Sequence, residues 1–399
     1  MSAVITGLGV LAPNGLGAEA YWAATLAGTS GLRPLTRFEA SGYPASVAGE
    51  VPDFTAAEHL PSRLLPQTDH MTRLALVAAD QALRDAGVSA ADLPEYGTGV
   101  VTAASGGGVE FGQRELQALW EHGRDHVSAY QSFAWFYAVN TGQISIRNRT
   151  KGPSGVLVTE QAGGLDALGQ ARRQIRKGTP LMLSGGVDGA LCPWGWVAQL
   201  ATGRVSEANE YLPFAAAASG YLPGEGGAIL VLEDAGAARA RGAARPYGEL
   251  AGYAATMDPA PDTGRPPGLG RAAALALTDA GLAPAAIDVV FADAAGVPEL
   301  DRAEAAALAE LFGPHGVPVT APKSLTGRLA GGAALDVATA LLALRDGVIP
   351  PSGPVREPAA ELRLDLVCGA ARPAPLRTAL VLARGYGGFN AAVVVRAAP

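Results

Sequence analysis

Cysteine is scarce in this sequence of 399 residues, which contains only Cys192 and Cys368. The two lie far apart, without CxxC spacing or a nearby histidine, so the sequence indicates neither a disulfide framework nor a zinc site, and we expect no metal. The glycine clusters at residues 106–108 and 185–186 match neither GxxxxGK nor a GxGxxG that follows a strand. We therefore expect no bound nucleotide or other bound cofactor.

Long apolar runs and an excess of basic charge are also missing. No uninterrupted apolar stretch reaches the roughly 18 residues of a membrane-spanning helix, and the first residues lack the charged start and apolar stretch of a signal peptide. We expect a cytoplasmic protein with no membrane partner. Charged residues make up 17% of the chain and the net charge is −7, so we expect no nucleic-acid partner. The longest basic cluster, at residues 172–177, ends a predicted helix, where we expect a solvated helix end.

The chain does have a large hydrophobic fraction, 49%, and a pattern that repeats. An amphipathic run that begins near Met71 ends at Gly87, and a similar run that begins near Gly270 ends at Gly281. Each is followed by a proline-containing loop and then by an apolar run of β type. Helix, glycine stop, loop and strand in the same order twice predict an α/β protein with buried, partly parallel sheets.

The repeat divides the chain into two halves, residues 1–240 and 241–399. We place the boundary near residues 235–248, in a segment that lies between a strand and a strand. Neither half looks able to stand alone, so we expect the two to share one continuous core.

A strand-to-helix turn is predicted at Glu160 and Gln161. Residues 155–159 have the pattern of a strand, and from Ala162 the apolar spacing is helical until Gly178. Such a turn presents a side chain at the helix N-terminus, where a thiolate nucleophile would have a lowered pKa. Glutamine has no such nucleophilicity, although its amide can donate and accept hydrogen bonds. A buried junction with a capping amide is the alternative interpretation.

Four segments resemble the β-ketoacyl synthases of the thiolase fold, and within them the chain-length factors, or ketosynthase β subunits, of type II aromatic polyketide synthases. They are the opening strand and loop at residues 4–15, the turn at 151–164, the stretch 211–227 and the glycine-rich close at 385–390. The resemblance implies a layered αβαβα core of two pseudo-repeated halves. It also implies a heterodimer with a ketosynthase α subunit, and a substrate delivered on the phosphopantetheine arm of an acyl carrier protein.

The departures from the family pattern fall on catalytic positions. Gln161 stands where a condensing subunit has cysteine, Asp293 where it has the first histidine, and Arg328 where it has the second, whereas Lys323 is kept. Without the cysteine and the histidine pair, we expect no autonomous condensation. An ion pair of Asp293 with Lys323 or Arg328 would fill the space that the histidines leave.

Three charged residues could be mistaken for a surviving active site. We interpret Lys323, Asp301 and Glu304 instead as a buried polar network whose members satisfy one another.

The resemblance also places a chain-length gate on a predicted helix near residues 108–120. Val109, Gly112 and Leu116 are spaced for one face of this helix, with Phe133 opposite them. Val109 and Gly112 are small for an interface core, and small side chains leave volume for a long chain product. A helix that packs into a dimer interface without a selective role is the alternative.

Three functions remain open at this point. The first is a chain-length-determining β subunit that shapes a tunnel for a poly-β-ketoacyl chain. The second is decarboxylation of malonyl carrier protein, in which the amide of Gln161 would stabilise the enolate and so supply the acetyl primer. The third is a non-enzymatic binding protein of the thiolase fold.

Overall fold

The structure is a computed structural model that describes residues 2–89, 94–243, 245–260 and 263–398. Its helices are α1 (Ala18–Leu26), α2 (Ala56–His59), α3 (His70–Asp85), α4 (Val109–His122), α5 (Gln131–Ala134), α6 (Val139–Asn148), α7 (Gly163–Arg176), α8 (Pro193–Leu200), α9 (Ala235–Ala240), α10 (Leu269–Ala280), α11 (Pro298–Phe312) and α12 (Ala334–Asp346). Within these ranges, no helix is long and apolar enough to cross a bilayer.

The strands are β1 (Ala3–Ala12), β2 (Gly15–Leu16), β3 (Leu32–Pro34), β4 (Val47–Gly49), β5 (Thr98–Ala103), β6 (Ser154–Leu157), β7 (Leu181–Asp188), β8 (Pro223–Gly224), β9 (Gly226–Asp234), β10 (Gly248–Met257), β11 (Val289–Phe291), β12 (Pro318–Thr320), β13 (Arg328–Leu329), β14 (Val348–Ile349), β15 (Asp365–Leu366), β16 (Arg372–Pro373), β17 (Thr378–Gly385) and β18 (Phe389–Ala397). The main sheet has the order β15-β12-β11-β17-β18-β10-β1-β9-β7-β5-β6, with β2 paired to β1.

Burial separates the helices into layers. Ala334–Leu344 of α12 are buried without interruption, and ten of the fourteen residues of α7 are buried, so these two helices lie inside the molecule. Helix α3 packs on β1 and β9, and α10 packs on β10 and β18, each with one side facing solvent. The result is the layered α/β arrangement expected of a thiolase fold, with both parallel and antiparallel pairs in the main sheet.

Close approach of strand to helix occurs twice, at matching places in the repeat. A Cβ on Gly7 of β1 would lie 2.2 Å from the carbonyl oxygen of Ala82 in α3, and a Cβ on Gly252 of β10 would lie 2.2 Å from that of Ala276 in α10. Only glycine fits such an approach. Ala82 and Ala276 hold the same place in the two sequence repeats, so the repeated pattern reflects repeated packing.

One carboxylate in each half reinforces this contact. Asp85 of α3 accepts a hydrogen bond from the backbone N–H of Leu8 at 2.7 Å, and Asp279 of α10 accepts one from Tyr253 at 2.9 Å. Leu8 and Tyr253 each follow the glycine of the close approach. The register of β1 and of β10 shifts at this glycine, and the freed N–H therefore finds its partner on the helix.

The boundary between the halves contains a short helix. The boundary segment lies between two strands, β9 and β10, as expected. The helix α9 was not predicted; it begins immediately after β9, where the side chain of Asp234 accepts hydrogen bonds from Gly236 and Ala237. Strand β10 then pairs with β1 of the first half and β18 of the second. The expected shared core is confirmed, since one sheet and one cluster of buried side chains run through both halves.

The basic cluster at the end of α7 is not a solvated helix end throughout. Arg172 is buried and donates hydrogen bonds to Asp279 and to the carbonyl oxygen of Ala251, both in the second half. Arg173 and Arg176 are exposed, as expected. The prediction was wrong for Arg172 because helical position alone did not show that α10 and β10 pack beside α7.

Candidate functional site

The turn that carries Gln161 is a single 3-10 turn, Glu160–Ala162, between β6 and α7. Gln161 is 2% exposed, and its Oε1 has no hydrogen-bond partner among the described residues. Glu160 has a φ of 51°, a left-handed conformation that costs a residue with a Cβ about 1–2 kcal/mol. Its carbonyl oxygen accepts from the N–H of Gly331 and its carboxylate from that of Tyr386, each at 3.1 Å. Two loops of the second half therefore hold the turn.

Asp293 and Arg328 form the expected ion pair. Arg328 Nη2 lies 3.0 Å from Asp293 Oδ1, Nη1 donates to the carbonyl oxygen of Asp293 at 3.2 Å, and Nη2 also donates to that of Arg384. Both side chains are buried. Burial alone would raise the pKa of Asp293, but Arg328, Arg384 and Lys323 hold it below its ordinary value. Asp293 and Arg328 are therefore bound to each other.

Lys323 has a different partner from the one expected. Its Nζ lies 2.8 Å from Oδ2 of Asp336, in the first turn of α12, so the mutually satisfied network of Lys323 with Asp301 and Glu304 is wrong. Burial raises the pKa of the Asp336 carboxyl, and the Lys323 ammonium opposes that rise. Lys323 thus ties its own turn to the buried helix α12.

Asp301 and Glu304 hold a backbone loop. Glu304 accepts from the N–H groups of Asp293 and Ala294, at 2.8 and 2.9 Å. Asp301 accepts from those of Gly296 and Phe214, at 3.0 and 2.8 Å. Burial raises the pKa of Asp301 to about 7, and burial together with Asp293 raises that of Glu304. These two carboxylates of α11 shape the loop that carries Asp293.

Sequence reasoning missed Asp336 and Arg384. Arg384 is 3% exposed, its backbone N–H donates to Asp293 Oδ1 at 2.7 Å, and its Nε lies 4.0 Å from Asp293 Oδ2. An arginine at the end of an apolar strand, just before a glycine-rich loop, was an available signal of a buried charge. No comparable pattern marked Asp336.

The helix of the expected gate is α4, and its residues have unequal surroundings. Gly112 is buried, Val109 is half-buried, and Leu116 is 37% exposed. Phe133 packs edge-on against Tyr130, and the two ring centroids lie 5.8 Å apart. Leu116 lies on an outward face of α4, so this part of the helix is exposed to solvent in the single chain.

The side chains nearest to Gly112 are tryptophans. A Cβ on Gly112 would lie 3.6 Å from Cβ of Trp135 and 3.6 Å from Cζ3 of Trp194, with Gln131 next at 3.9 Å. Trp135 and Trp194, rather than Phe133, therefore face this glycine. Their sequence positions give no periodic relation to α4, which is why they were not predicted.

A cavity of about 320 Å³ extends from the start of α4 to Arg328. Its lining includes Val109 and Trp194 together with Glu160, Arg328 and Tyr386. This volume lies at the lower end of the range of ligand cavities, about 300–1,000 Å³. Among the residues that the structure describes, no group of three or more His, Cys, Asp or Glu side chains is arranged to hold a metal ion.

Exposed apolar side chains concentrate on α4, α6, α8 and the segments beside them. We call this set the apolar face, and its members, each at least 37% exposed, are Leu116, Trp120, Trp135, Phe136, Tyr137, Ile146, Val158, Trp194 and Val197. Strand β6, which Val158 follows, forms one end of the main sheet, so in the described chain its outer edge is unpaired. An apolar patch next to an open strand edge is typical of a surface that binds another protein.

Models of known families match most of the chain. The N-terminal domain of the β-ketoacyl synthases matches residues 2–238, and the C-terminal domain matches residues 247–356. The tetracenomycin polyketide synthase ketoacyl synthase β subunit of Streptomyces glaucescens is 62% identical over 399 residues, covering 98% of this chain and 98% of that protein.

Two solved structures are similar over nearly the whole chain. The ishigamide ketosynthase/chain length factor superposes with a TM-score of 0.92 at 30% identity, covering 100% of this chain and 99% of that one. A type II acyl-carrier protein complex with its ketosynthase bound to the hexaketide gives 0.86 at 26% identity, with 99% coverage of both chains. The chain belongs to the β-ketoacyl synthase family, among the ketosynthase β subunits, or chain-length factors, of type II polyketide synthases.

Proposed function

We propose that this chain is the chain-length-determining β subunit of a type II ketosynthase heterodimer and does not condense by itself. It shapes the space for a poly-β-ketoacyl chain that an acyl carrier protein delivers on its phosphopantetheine arm. The observation that carries this function is the cavity whose lining includes both Arg328, at an altered catalytic position, and Val109, at the start of α4.

The altered positions explain why condensation needs another subunit. Condensation requires a nucleophile that becomes acylated and groups that polarise the malonyl thioester. Gln161 has no nucleophilic atom of useful reactivity, and Arg328 keeps its proton at any physiological pH. Asp293 already accepts from Arg328 and from the backbone of Arg384. The missing cysteine and histidines belong to the α subunit.

The apolar face supports the heterodimer. It lies beside the open edge of β6, where a second chain can add a strand and cover apolar side chains at the same time. Three of its members, Trp135, Trp194 and Leu116, are close to or on the gate helix. The interface and the cavity therefore share residues, so the partner would complete the wall of the product space.

The gate itself follows from size. Gly112 contributes no side chain, and the space beside it is bounded by Trp135 and Trp194. Val109 lines the cavity with a short side chain. Val109 thus takes little space in the cavity itself, and Gly112 lets Trp194, which also lines the cavity, pack close to α4. Both features favour a long chain product.

We expect Gly112→Phe to shorten the main product of the reconstituted heterodimer, with Val109→Phe added for a further effect. A Cβ at position 112 would make ordinary contacts with Trp135 and Trp194 at 3.6 Å, so a phenylalanine ring would press against these two side chains, and Trp194 lines the cavity. Overpacking costs about 1–3 kcal/mol, which predicts about a fivefold or larger loss of the longest product. The measurement is product mass after incubation with malonyl carrier protein.

Leu275→Phe is the matched control, because it adds a ring at an exposed position of α10. It should leave the product length unchanged. An unaltered product from both Gly112→Phe and the double variant would contradict the gate.

Decarboxylation through Gln161 is the second candidate. The buried, unpartnered Oε1 and the position at the start of α7 are what support it. However, Gln161 is 2% exposed. Arg328, which stands where a second group would polarise the thioester, is already paired with Asp293. We therefore expect Gln161→Ala to leave priming from malonyl carrier protein alone unchanged.

The assay compares product yield with and without added acetyl primer. Loss of product that added primer restores would instead assign the decarboxylation to Gln161. The third candidate, a binding protein unrelated to polyketides, is not supported by a chain that is 62% identical to a polyketide synthase β subunit.

A further inference from the structure

A single buried carboxylate joins the gate helix to the core. Asp69 is 2% exposed and stands at the N-cap of α3, where Oδ1 accepts from the backbone N–H of Met71 at 2.9 Å. Its other oxygen, Oδ2, accepts from the backbone N–H of Phe111 at 2.7 Å. Phe111 belongs to the first turn of α4. One side chain therefore bonds to the first turns of two helices, and Asp69 and Phe111 are 42 residues apart in sequence.

Helix α4 lacks a cap of its own. Its N-cap residue is Gly108, which makes no side-chain capping bond. A free N–H group in the first turn of a helix needs an acceptor, and the helix dipole favours a negative one. Asp69 supplies that acceptor from α3. A Cβ on Gly108 would lie 3.0 Å from Cβ of Asp69, so the absence of a side chain at position 108 also lets the two backbones approach.

The bond to Phe111 lies between the two gate positions. Val109 precedes Phe111 by two residues and Gly112 follows it directly. The position of the Phe111 N–H therefore constrains where Val109 and Gly112 lie. The Phe111 ring is 1% exposed and packs into the protein body. On the other side of α4, Gln113 accepts from the N–H of Trp194 at 2.7 Å. A displacement of the first turn would therefore move Val109 and Gly112 relative to Trp194.

The loop before α4 is held in the same way. Asp188, buried at the end of β7, accepts from the backbone N–H of Ser105 at 2.8 Å and of Gly189 at 2.9 Å. Asp188 and Ser105 both line the cavity, whereas Asp69 is not among its lining residues. Asp69 is therefore the residue that can affect the gate without touching the product.

We propose that Asp69 is a positioning residue for product length, which sets where Val109 lies in the cavity wall and how Gly112 faces Trp194, another residue of that wall. This inference rests on the proposed gate function. It assigns to Asp69 no contact with the growing chain and no part in the chemistry of the α subunit.

The test is Asp69→Ser in the reconstituted heterodimer. Serine is a good N-cap residue, so it keeps the bond to Met71, but its single, shorter hydroxyl does not also reach Phe111. We expect a severalfold change in the ratio of full-length to shorter or longer products, with total product within about twofold of the unmodified pair. Asp69→Asn keeps the size of the side chain but only one acceptor oxygen. Its amide nitrogen would face one of the two N–H donors, so this variant should shift the ratio as well.

Asp234→Ala is the matched control. It removes the side-chain cap of α9, at a comparable cost of about 1 kcal/mol, far from α4 in the sequence and without a bond to it. Its product ratio should equal that of the unmodified pair. This control separates a general loss of stability from a displaced gate, because only the latter changes the ratio.

Each outcome decides the question. If Gly112→Phe shortens the product while Asp69→Ser and Asp69→Asn leave the ratio unchanged, the positioning role is overturned and the gate stands. If the Asp69 variants lose all products to the same degree, their product ratio equals that of Asp234→Ala, and the positioning role is also overturned. If Gly112→Phe itself has no effect, the proposed function fails first. Should Asp69→Ser not assemble with the α subunit, the ratio given by Asp69→Asn decides.

Discussion

In our proposal, Arg328 stands at a position where condensing subunits have a histidine. Arg328 is a buried permanent charge that must be paired. Asp293 meets that need at 3.0 Å, and the carbonyl oxygen of Arg384 accepts a second bond. Burial alone would lower the pKa of Arg328, but Asp293 raises it above its ordinary value. The two substitutions therefore depend on each other.

We expect Arg328→Met to destabilise the protein by about 3 kcal/mol, the lower end of the cost of breaking a buried pair. The cost arises because Asp293 is left buried with one fewer cation. It stays at the lower end because Arg384 remains, with Nε 4.0 Å from Asp293 Oδ2. Urea denaturation of the heterodimer, followed by circular dichroism, measures the effect.

The double variant Arg328→Met with Asp293→Asn should recover part of this loss, since it removes both charges. Arg345→Met is the control: Arg345 is partly exposed and pairs with exposed Glu19, and such pairs contribute at most about 1 kcal/mol. Equal losses from Arg328→Met and Arg345→Met would contradict the interpretation.

At the scale of elements, large exposed apolar side chains lie near one end of the main sheet, the end formed by β6. Strand β15 and strand β6 close the two ends of the main sheet. Near β6 the exposed side chains include Ile146, at 72%, and Val158, at 45%. A strand edge and large apolar groups that both face solvent would favour aggregation unless a partner covers them. The α subunit is that partner in our proposal.

We expect Ile146→Glu to weaken copurification with the α subunit by about tenfold or more, because an unpaired carboxylate at a covered apolar surface costs more than about 1.4 kcal/mol. Folding of the β subunit itself should change little, since the side chain is exposed in the single chain. Val158→Glu should act in the same direction.

Leu275→Glu places the same charge on α10, where Leu275 is 42% exposed, and should copurify normally. Tagged pull-down of the α subunit, with circular dichroism of the isolated variants, measures both properties. Normal copurification of Ile146→Glu and Val158→Glu would exclude the apolar face as the interface.

At the scale of the whole molecule, the two halves are copies of one packing pattern within a single core. Gly7 with Asp85 and Gly252 with Asp279 repeat the same strand–helix contact. Yet β10 pairs with β1, and Arg172 of the first half is bound by Asp279 of the second. Each of the repeated contacts lies within one half, whereas the pairing of β10 with β1 and the bond from Arg172 to Asp279 join one half to the other.

Much of the fold could be predicted because its signals are local. The helix that ends at Gly87, the helix that ends at Gly281 and the apolar strands have periodicities that arise within short segments. The turn at Gln161 was also predictable, as a strand followed directly by a helix. The short helix α9 was not, because it lies in an alanine-rich linker where strand, loop and helix patterns were not distinguished.

The sequence by itself determined the fold class, the family and the absence of the catalytic cysteine and histidines, because each of these depends on residue type at a position. Only the tertiary structure decided which groups meet: Lys323 with Asp336, Asp69 with Phe111, and Gly112 with Trp135 and Trp194. These contacts join residues that are distant in the chain. Their partners are set by how helices and loops pack on the sheet, and no local pattern carries that information.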